Sequence, residues 1–456
     1  MKRILRFASP LILITILFTG CNSTATKGQS STITRTITAH PSPTPIPSPT
    51  RTILKSNSDT IQQAMATASI TSCPSDLQLS SGCLTPEELR AAYDIDPLLQ
   101  QGITGEGQTI IDIVSYGSPT LQSDMDLFDS TFNLPPVNMQ VIAPLTNIPV
   151  SDPYNQKSGW AYETTMDVEM LHAMAPEAKI IVLVSPVAQI AGTQGLPEFL
   201  QLEQYVIDHN LGYILSQSWG TSEIPLDNAD GRNQVQQWGP VLEQGATQNH
   251  ITYLTASGDY GATDYADAFE NALGTVPTTT FTADSPWVTS VGGTSLYHRN
   301  NSYSEIAWGG SGGGFSKFYT IPDYQKTLPQ HDVEELQGRR GVPDVSADAD
   351  SQTGMPIVVD GSWYLSSGTS ASAPVWAAIV ALADQMAGHP LGLINPGLYK
   401  LGNSSTYSQD FHDVTKGNNN YNSVQGYPAT QGWDPVTGWG TPDAAHLVPD
   451  LVAAMQ

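Results

Sequence analysis

The chain predicts an α/β fold built on a mostly parallel sheet with helices on both faces. Three observations carry that expectation. Short, nearly continuous apolar runs recur along the chain: Gln108–Val114 (QTIIDIV), Ala178–Val184 (AKIIVLV), Gly212–Trp219 (GYILSQSW) and Ile251–Ser257 (ITYLTAS). Runs of this length without polar alternation suit strands buried on both faces, as parallel strands are. Between them lie segments of helical period, Glu198–Asn210 and Val235–Asn249. Strands that alternate with helices build a wound parallel sheet, and active sites then collect beyond the carboxyl ends of the strands. The third observation is size, because 456 residues allow an ample core.

Charge narrows the functional classes. There are 18 Lys plus Arg against 43 Asp plus Glu, a formal net charge of −25. Nucleic acid is excluded as a partner, since phosphate binding needs clustered cations. So few basic residues leave little positive charge to repel itself once carboxylates protonate, which suits an acidic medium.

The N-terminal 72 residues read as export and spacing. Lys2, Arg3 and Arg6 precede the apolar run Leu11–Phe18, and Thr-Gly-Cys follows. The run is too short for an ordinary membrane span. Small residues before Cys21 resemble a bacterial lipobox. Residues 1–21 are thus expected to form a lipoprotein-type signal ending at a lipidated Cys21, with a simple cleaved secretion signal as the alternative. Two acyl chains anchor a protein stably where one is marginal. Residues 22–72 are rich in Ser, Thr and Pro and offer too few large apolar side chains to offset ordering entropy, so a disordered stalk is expected. Residues 73–456 form the expected folded domain. Cys73 and Cys83 are ten apart, and in an exported protein a disulfide between them is favoured over two inert thiols.

Chemistry concentrates in three places. In Ser366–Gln385 (SSGTSASAPVWAAIVALADQ), Gly368 allows a tight turn and Ser370 falls at the mouth of an apolar helix. Unpaired N–H groups at a helix start are ready oxyanion donors. Pro374 is placed in the first turn of that helix, where no N–H is needed. Taken alone, Gly-Thr-Ser reads as a helix cap. In Trp160–Ile180, Glu163 and Asp167 stand at i and i+4, so both carboxylates share one helix face. Alone, that pair reads as a solvated acidic face. Lastly, Asp259 follows Ser257-Gly258 at the carboxyl end of a buried strand, an ordinary turn position. None of the nine histidines is followed by glycine, and His172 sits in an apolar stretch as a packed residue rather than a base.

The string GTSASAP resembles the nucleophile motif shared by subtilisin-like and sedolisin-like peptidases. Glu163-x-x-x-Asp167 resembles the ExxxD motif of the sedolisins (serine-carboxyl peptidases). The resemblance covers roughly residues 84–453. Ser216–Gly220, Ser285–Leu296, Gly309–Phe318 and Gly341–Asp350 follow in family order. It implies a subtilisin-like doubly wound fold and a serine-type endopeptidase acting in acid on polypeptides. Ser370 is the implied nucleophile and Glu163 its base. Asp167 supports Glu163 by a shared proton, and Asp259 donates to the oxyanion in place of an amide. The resemblance also places substrate along Ser218, Trp219, Gly220, Gly313 and Gly314, added as a strand. The C-terminal HDVTKGNNN and GWDPVTGWGTP resemble the family's calcium loop. Asp413 and Asp434 would give carboxylate oxygens, and Val414, Thr430 and Gly432 carbonyls, to one structural Ca²⁺.

Two departures stand out. Where relatives extend the carboxylate network from the end of the first strand, Val114 stands here, with Asp112 two residues earlier on the same side. The stalk is also no folded prodomain. The expected protein is a monomer on the bacterial cell surface or secreted, touching membrane only through its lipid. The competing reading from another class is a catalytically idle relative that serves as a surface binding lipoprotein. A neutral, histidine-dependent protease is the third reading, and the missing His-Gly argues against it.

Overall fold

The computed structural model describes residues 73, 74, 77, 83–300 and 302–456. The expected signal, Cys21 and the whole of the expected stalk lie outside the described residues. The sulfurs of Cys73 and Cys83 are bonded at 2.07 Å, with Cα atoms 5.7 Å apart. Among the described residues no helix is long and apolar enough to cross a membrane.

The central sheet contains β1 (Thr109–Ser115), β2 (Asn138–Ile142), β3 (Lys179–Ser185), β4 (Ile214–Gln217), β5 (Thr252–Ala256), β6 (Thr289–Arg299), β7 (Ser302–Ala307) and β8 (Val345–Asp348). Their order across the sheet is β8-β6-β5-β4-β1-β3-β2, and β7 pairs with β6. Only the β6–β7 pair is antiparallel. The apolar runs read as strands are β1, β3, β4 and β5, each buried along almost its whole length.

Connectivity places the site. The chain runs from β1 outward to β2, returns through β3, and then crosses to β4 on the other side of β1. The strand order reverses there, so the loops after β1 and β4 diverge and leave a crevice at their carboxyl ends. The turn after β5 reaches the same end of the sheet.

Five helices frame the sheet: α1 (Leu121–Phe132), α2 (Lys157–Met174), α3 (Leu196–His209), α4 (Ala229–Gln248) and α5 (Thr369–Ala387). Helices α2 and α5 pack on each other, as do α3 and α4. Strand alternation shows that the two pairs cover opposite faces. Asp112 and Ser216 are register partners on neighbouring strands, and Asp112 meets α2 through Asp167. Gln217, one residue on, therefore points the other way, where its amide donates to Glu203 of α3. Helix α5 is the apolar centre of the molecule, with Val375 to Ala383 sealed from solvent.

Pro374 corrects one expectation. It lies inside α5 rather than in its first turn. A proline there removes the N–H that would bond the carbonyl four residues back, which belongs to Ser370.

Candidate active site

Ser370 stands one residue into α5. Gly368 caps the helix at φ 83°, a left-handed conformation that side chains resist. A Cβ at Gly368 would also lie 2.4 Å from Asp259 Oδ2. The approach of residue 259 to the helix start thus depends on glycine. Ahead of this turn runs the hairpin of Pro356–Val359 and Ser362–Leu365. Asp124 of α1 accepts from the N–H groups of Asp360 and Gly361, and Glu169 of α2 accepts from that of Val358. The segment leading to Ser370 is therefore tied to two helices.

Glu163 and Asp167 project from α2 toward Ser370. Burial pushes the Glu163 carboxyl well above its ordinary range, the Asp167 charge pushes it further, and hydrogen bonding with Ser370 opposes both. Part of Glu163 opens to the cavity, but its Oε1 is sealed without a hydrogen-bond partner. A buried carboxylate oxygen lacking a donor is an acceptor awaiting a proton.

Asp167 has no contact with water. The Ser218 hydroxyl lies 2.7 Å from its Oδ1 and 3.0 Å from the carbonyl oxygen of Ser370. The second contact exists because Pro374 leaves that carbonyl without its helical donor. Ser218 thus joins the acid pair to the backbone of Ser370. The Ser218 side chain faces inward, which leaves its backbone for the expected pairing with a substrate strand.

Asp112 completes the cluster. Both its oxygens and Asp167 Oδ2 are buried with no donor from the protein. Asp112 and Asp167 are close enough to influence each other, and two neighbouring carboxyls so far from water titrate as a pair. Burial raises both well above the ordinary range, and repulsion between neighbours adds to it. Val114 does not end the network, since Asp112 supplies the third carboxyl from an earlier position on the strand. Its sequence signal was a lone aspartate in the apolar run TIIDIVS. Asp167 acts on Glu163 through its charge, and its Oδ1 accepts from the Ser218 hydroxyl.

Asp259 approaches from the turn after β5. Its Oδ1 accepts from the N–H of Thr369 at 2.7 Å and from the Thr369 hydroxyl at 3.0 Å. The Gly258 N–H donates to that hydroxyl at 3.0 Å. With Oδ1 occupied twice, a proton on this carboxyl belongs on Oδ2. Burial raises the Asp259 carboxyl above its ordinary range, and the Thr369 contacts oppose it. Thr369 was legible only as part of GTSASAP, and fixing Asp259 is a role that no local pattern encodes.

Ser370, Glu163 and Asp259 line one cavity of about 420 Å³, together with Ser218, Trp219 and Gly220. The Trp219 ring turns away into the core, where it packs edge-on to Phe199 at 4.7 Å and against Trp238 at 5.6 Å. Gly313 and Gly314 do not line the cavity, contrary to expectation. Cβ atoms there would meet the Pro435 carbonyl at 2.1 Å and the Tyr427 ring at 3.2 Å, so these glycines serve packing against the C-terminal loop. His172 is buried elsewhere, its Nε2 2.8 Å from the Pro135 carbonyl oxygen.

The expected calcium loop brings its carboxylates to one short segment. Asp413 accepts from the Gly432 N–H, and Asp434 accepts from the N–H groups of Thr430, Val436 and Thr437. Asp434 is buried and Val414 lies beside Asp413, with no Lys or Arg paired to either carboxylate among the described residues. Two carboxylates on a carbonyl-rich loop without a cation fit a hard divalent ion.

Comparison with known proteins agrees with this geometry. Residues 155–391 match the model of the subtilase family. The chain is 33% identical over 380 residues to kumamolisin of Bacillus sp. (strain MN-32), covering 81% of this chain and 63% of that protein. It is 30% identical over 418 residues to tripeptidyl-peptidase sed4 of Aspergillus fumigatus, covering 80% and 66%. Human tripeptidyl-peptidase 1 is 32% identical over 311 residues, covering 64% and 52%. The chain thus spans between half and two thirds of the length of these relatives. Pseudomonas sedolisin, a serine-carboxyl proteinase solved with two molecules of pseudo-iodotyrostatin, superposes with a TM-score of 0.67 at 26% identity. That match covers 81% of this chain and 98% of the other.

Proposed function

This chain belongs to the sedolisin group of the subtilase family, and from that premise we propose that it is a serine-carboxyl endopeptidase cleaving polypeptides in acid. The observation that carries the reading is Ser370 at a helix start, sharing one cavity with Glu163 and Asp259.

Ser370 Oγ attacks the scissile carbonyl carbon as Glu163 takes its proton. The carbonyl oxygen becomes an oxyanion. It accepts from the Ser370 N–H, which needs no partner at a helix start, and from a proton on Asp259 Oδ2. Glu163 then returns its proton to the leaving amine, and the C–N bond breaks to leave an acyl-enzyme on Ser370. Water, activated by Glu163, attacks that ester and releases the acid. Asp167 and Asp112 touch neither substrate nor Ser370 Oγ. They hold one proton between them, and this sets how readily Glu163 ionises.

One Ca²⁺ held by Asp413 and Asp434 with the carbonyls of Val414, Thr430 and Gly432 belongs to the same proposal, and it would brace the C-terminal loop. Export, with lipidation at Cys21 or simple secretion, rests on the N-terminal sequence pattern alone.

The test is digestion of denatured casein at pH 4 and pH 7 by wild type, Ser370→Ala and Glu163→Gln. Wild type is expected to cleave at pH 4, with both variants reduced at least a thousandfold, on the order seen for triad members. Full activity in Glu163→Gln, or an optimum near pH 8, would refute the carboxylate base. An enzyme inert at every pH would favour the binding-protein reading.

A further inference from the structure

The active-site cavity has an acidic inner end that the chemistry of peptide cleavage does not use. Its near end carries Ser370 and Glu163. Two walls lead inward, Ser218–Gly220 and Ala256–Asp259, and both are lined at their ends by glycine. A Cβ on Gly220 would lie 2.4 Å from Thr280 Cγ2, and one on Gly258 would lie 2.7 Å from Thr280 Oγ1. Thr280 therefore packs against both glycines and forms the floor of this part of the cavity, the slot that the three residues border.

Behind the floor lies Asp264. The Thr280 hydroxyl donates to its Oδ2 at 2.9 Å and the Tyr265 N–H to its Oδ1 at 2.6 Å. The carboxyl is 8% exposed, yet it belongs to the cavity lining. Each oxygen accepts one bond and keeps a free lone pair. A second acid, Glu270, reaches the same space from the loop beyond. It stands at a positive φ of 58°, and its Oε1 accepts from the Ala191 N–H at 3.1 Å. That loop packs closely on Gly192, where an added Cβ would lie 2.6 Å from Ala268 Cβ. Among the described residues lining the cavity, none is Lys, Arg or His.

The geometry points to a specificity site: the substrate residue whose carbonyl is attacked carries a cationic side chain, arginine or lysine, that enters the slot between Gly220 and Gly258 and pairs with Asp264 and Glu270. The argument rests on the peptidase reading above and deepens it. A substrate strand lying along Ser218–Gly220 presents its reacting carbonyl to Ser370. The side chain of that residue then faces the slot next to the nucleophile, and the slot ends in carboxyls without a counter-charge among the described lining residues. A long side chain with an apolar stem and a cationic head fits both parts. A neutral polar side chain of equal length would leave the acids unpaired, and an acidic one would be repelled.

The groups facing Asp264 set a pH dependence that separates this role from a purely structural one. Asp259 and Glu270 repel its charge, the Tyr265 N–H and Thr280 hydroxyl favour it, and burial, the largest influence, holds its carboxyl up at about 6. Binding a cation requires the ionised form. Affinity for a cationic substrate should therefore rise between pH 4 and pH 6, while affinity for its neutral isostere should not.

The test measures binding of two peptides identical except at their C-terminal residue, arginine or citrulline, to the Ser370→Ala protein by calorimetry at pH 4 and pH 6. The arginine peptide is expected to bind about tenfold tighter at pH 6, with the ratio shrinking at pH 4. Adding Asp264→Asn should collapse the ratio. Glu270→Gln, at a half-buried site where folding is not at stake, should reduce it. Equal affinity for the two peptides, or a ratio retained in both added variants, would overturn the assignment. Because this readout needs no turnover, a wild-type enzyme that cleaves nothing would refute the peptidase reading while the binding ratio still decides the site.

Discussion

Glu203 offers a clean test of how the stability of this fold depends on pH. It sits in α3 without solvent contact, its Oε2 has no partner among the described residues, and the Gln217 amide, itself held by the Thr255 hydroxyl at 2.7 Å, donates to its Oε1. Burial lifts its carboxyl from the ordinary 4.5 to about 8. The folded protein then binds this proton more tightly than the unfolded chain does. The stabilisation is complete below pH ~4.5 and is lost progressively as pH rises toward 8. At ~1.36 kcal/mol for each factor of ten in proton affinity, the loss reaches at most about 5 kcal/mol. Glu203→Gln keeps the shape and an acceptor for Gln217 but never ionises. In the Ser370→Ala background, which prevents self-digestion, melting temperatures would be followed from pH 4 to pH 8. The two proteins should melt within a few degrees at pH 4. At pH 7.5 Glu203→Gln should be more stable by about 2–4 kcal/mol, roughly 5 °C. Parallel curves over the whole range would show that Glu203 ionises freely or finds a hidden partner, and the reasoning would fail.

Three further outcomes are expected. Asp259→Asn donates at every pH, so the alkaline limb of its kcat/KM profile should move upward from that of wild type, where the limb includes loss of the Asp259 proton; an unmoved limb in an active variant would remove Asp259 from the oxyanion role. Asp112→Asn cannot share a proton symmetrically with Asp167, so the acid limb should shift with kcat falling about tenfold and KM nearly constant; an unchanged profile would reduce Asp112 to a buried spectator. Chelation should lower the melting temperature and Asp434→Ala should mimic it, whereas active, stable enzyme with no calcium by elemental analysis would refute the loop assignment.

The local patterns around Ser370, Glu163, Asp167 and Asp259 read alone as a helix cap, a solvated acidic face and an ordinary turn. They became legible as a site through the resemblance of GTSASAP and Glu163-x-x-x-Asp167 to a known family. The strands were legible directly, since burial on both faces leaves an uninterrupted apolar run. The folded chain alone decided how those pieces touch. Asp112 meets Asp167 only because β1 lies beneath α2, and Ser218 turns inward only because Pro374, 156 positions away by the numbering, withholds a helical N–H from Ser370. Gly313 and Gly314 looked like cleft glycines, but their backbones are pressed by Pro435 and Tyr427. A residue type and its neighbours fix what a side chain can do, and hydrogen-bond partners far apart in the chain fix what it does. The sequence therefore determined which side chains are candidates for the chemistry. Only tertiary packing determined that Asp112 lies against Asp167 and that Asp264 and Glu270 line the same cavity as Ser370, because those contacts join residues distant in the chain.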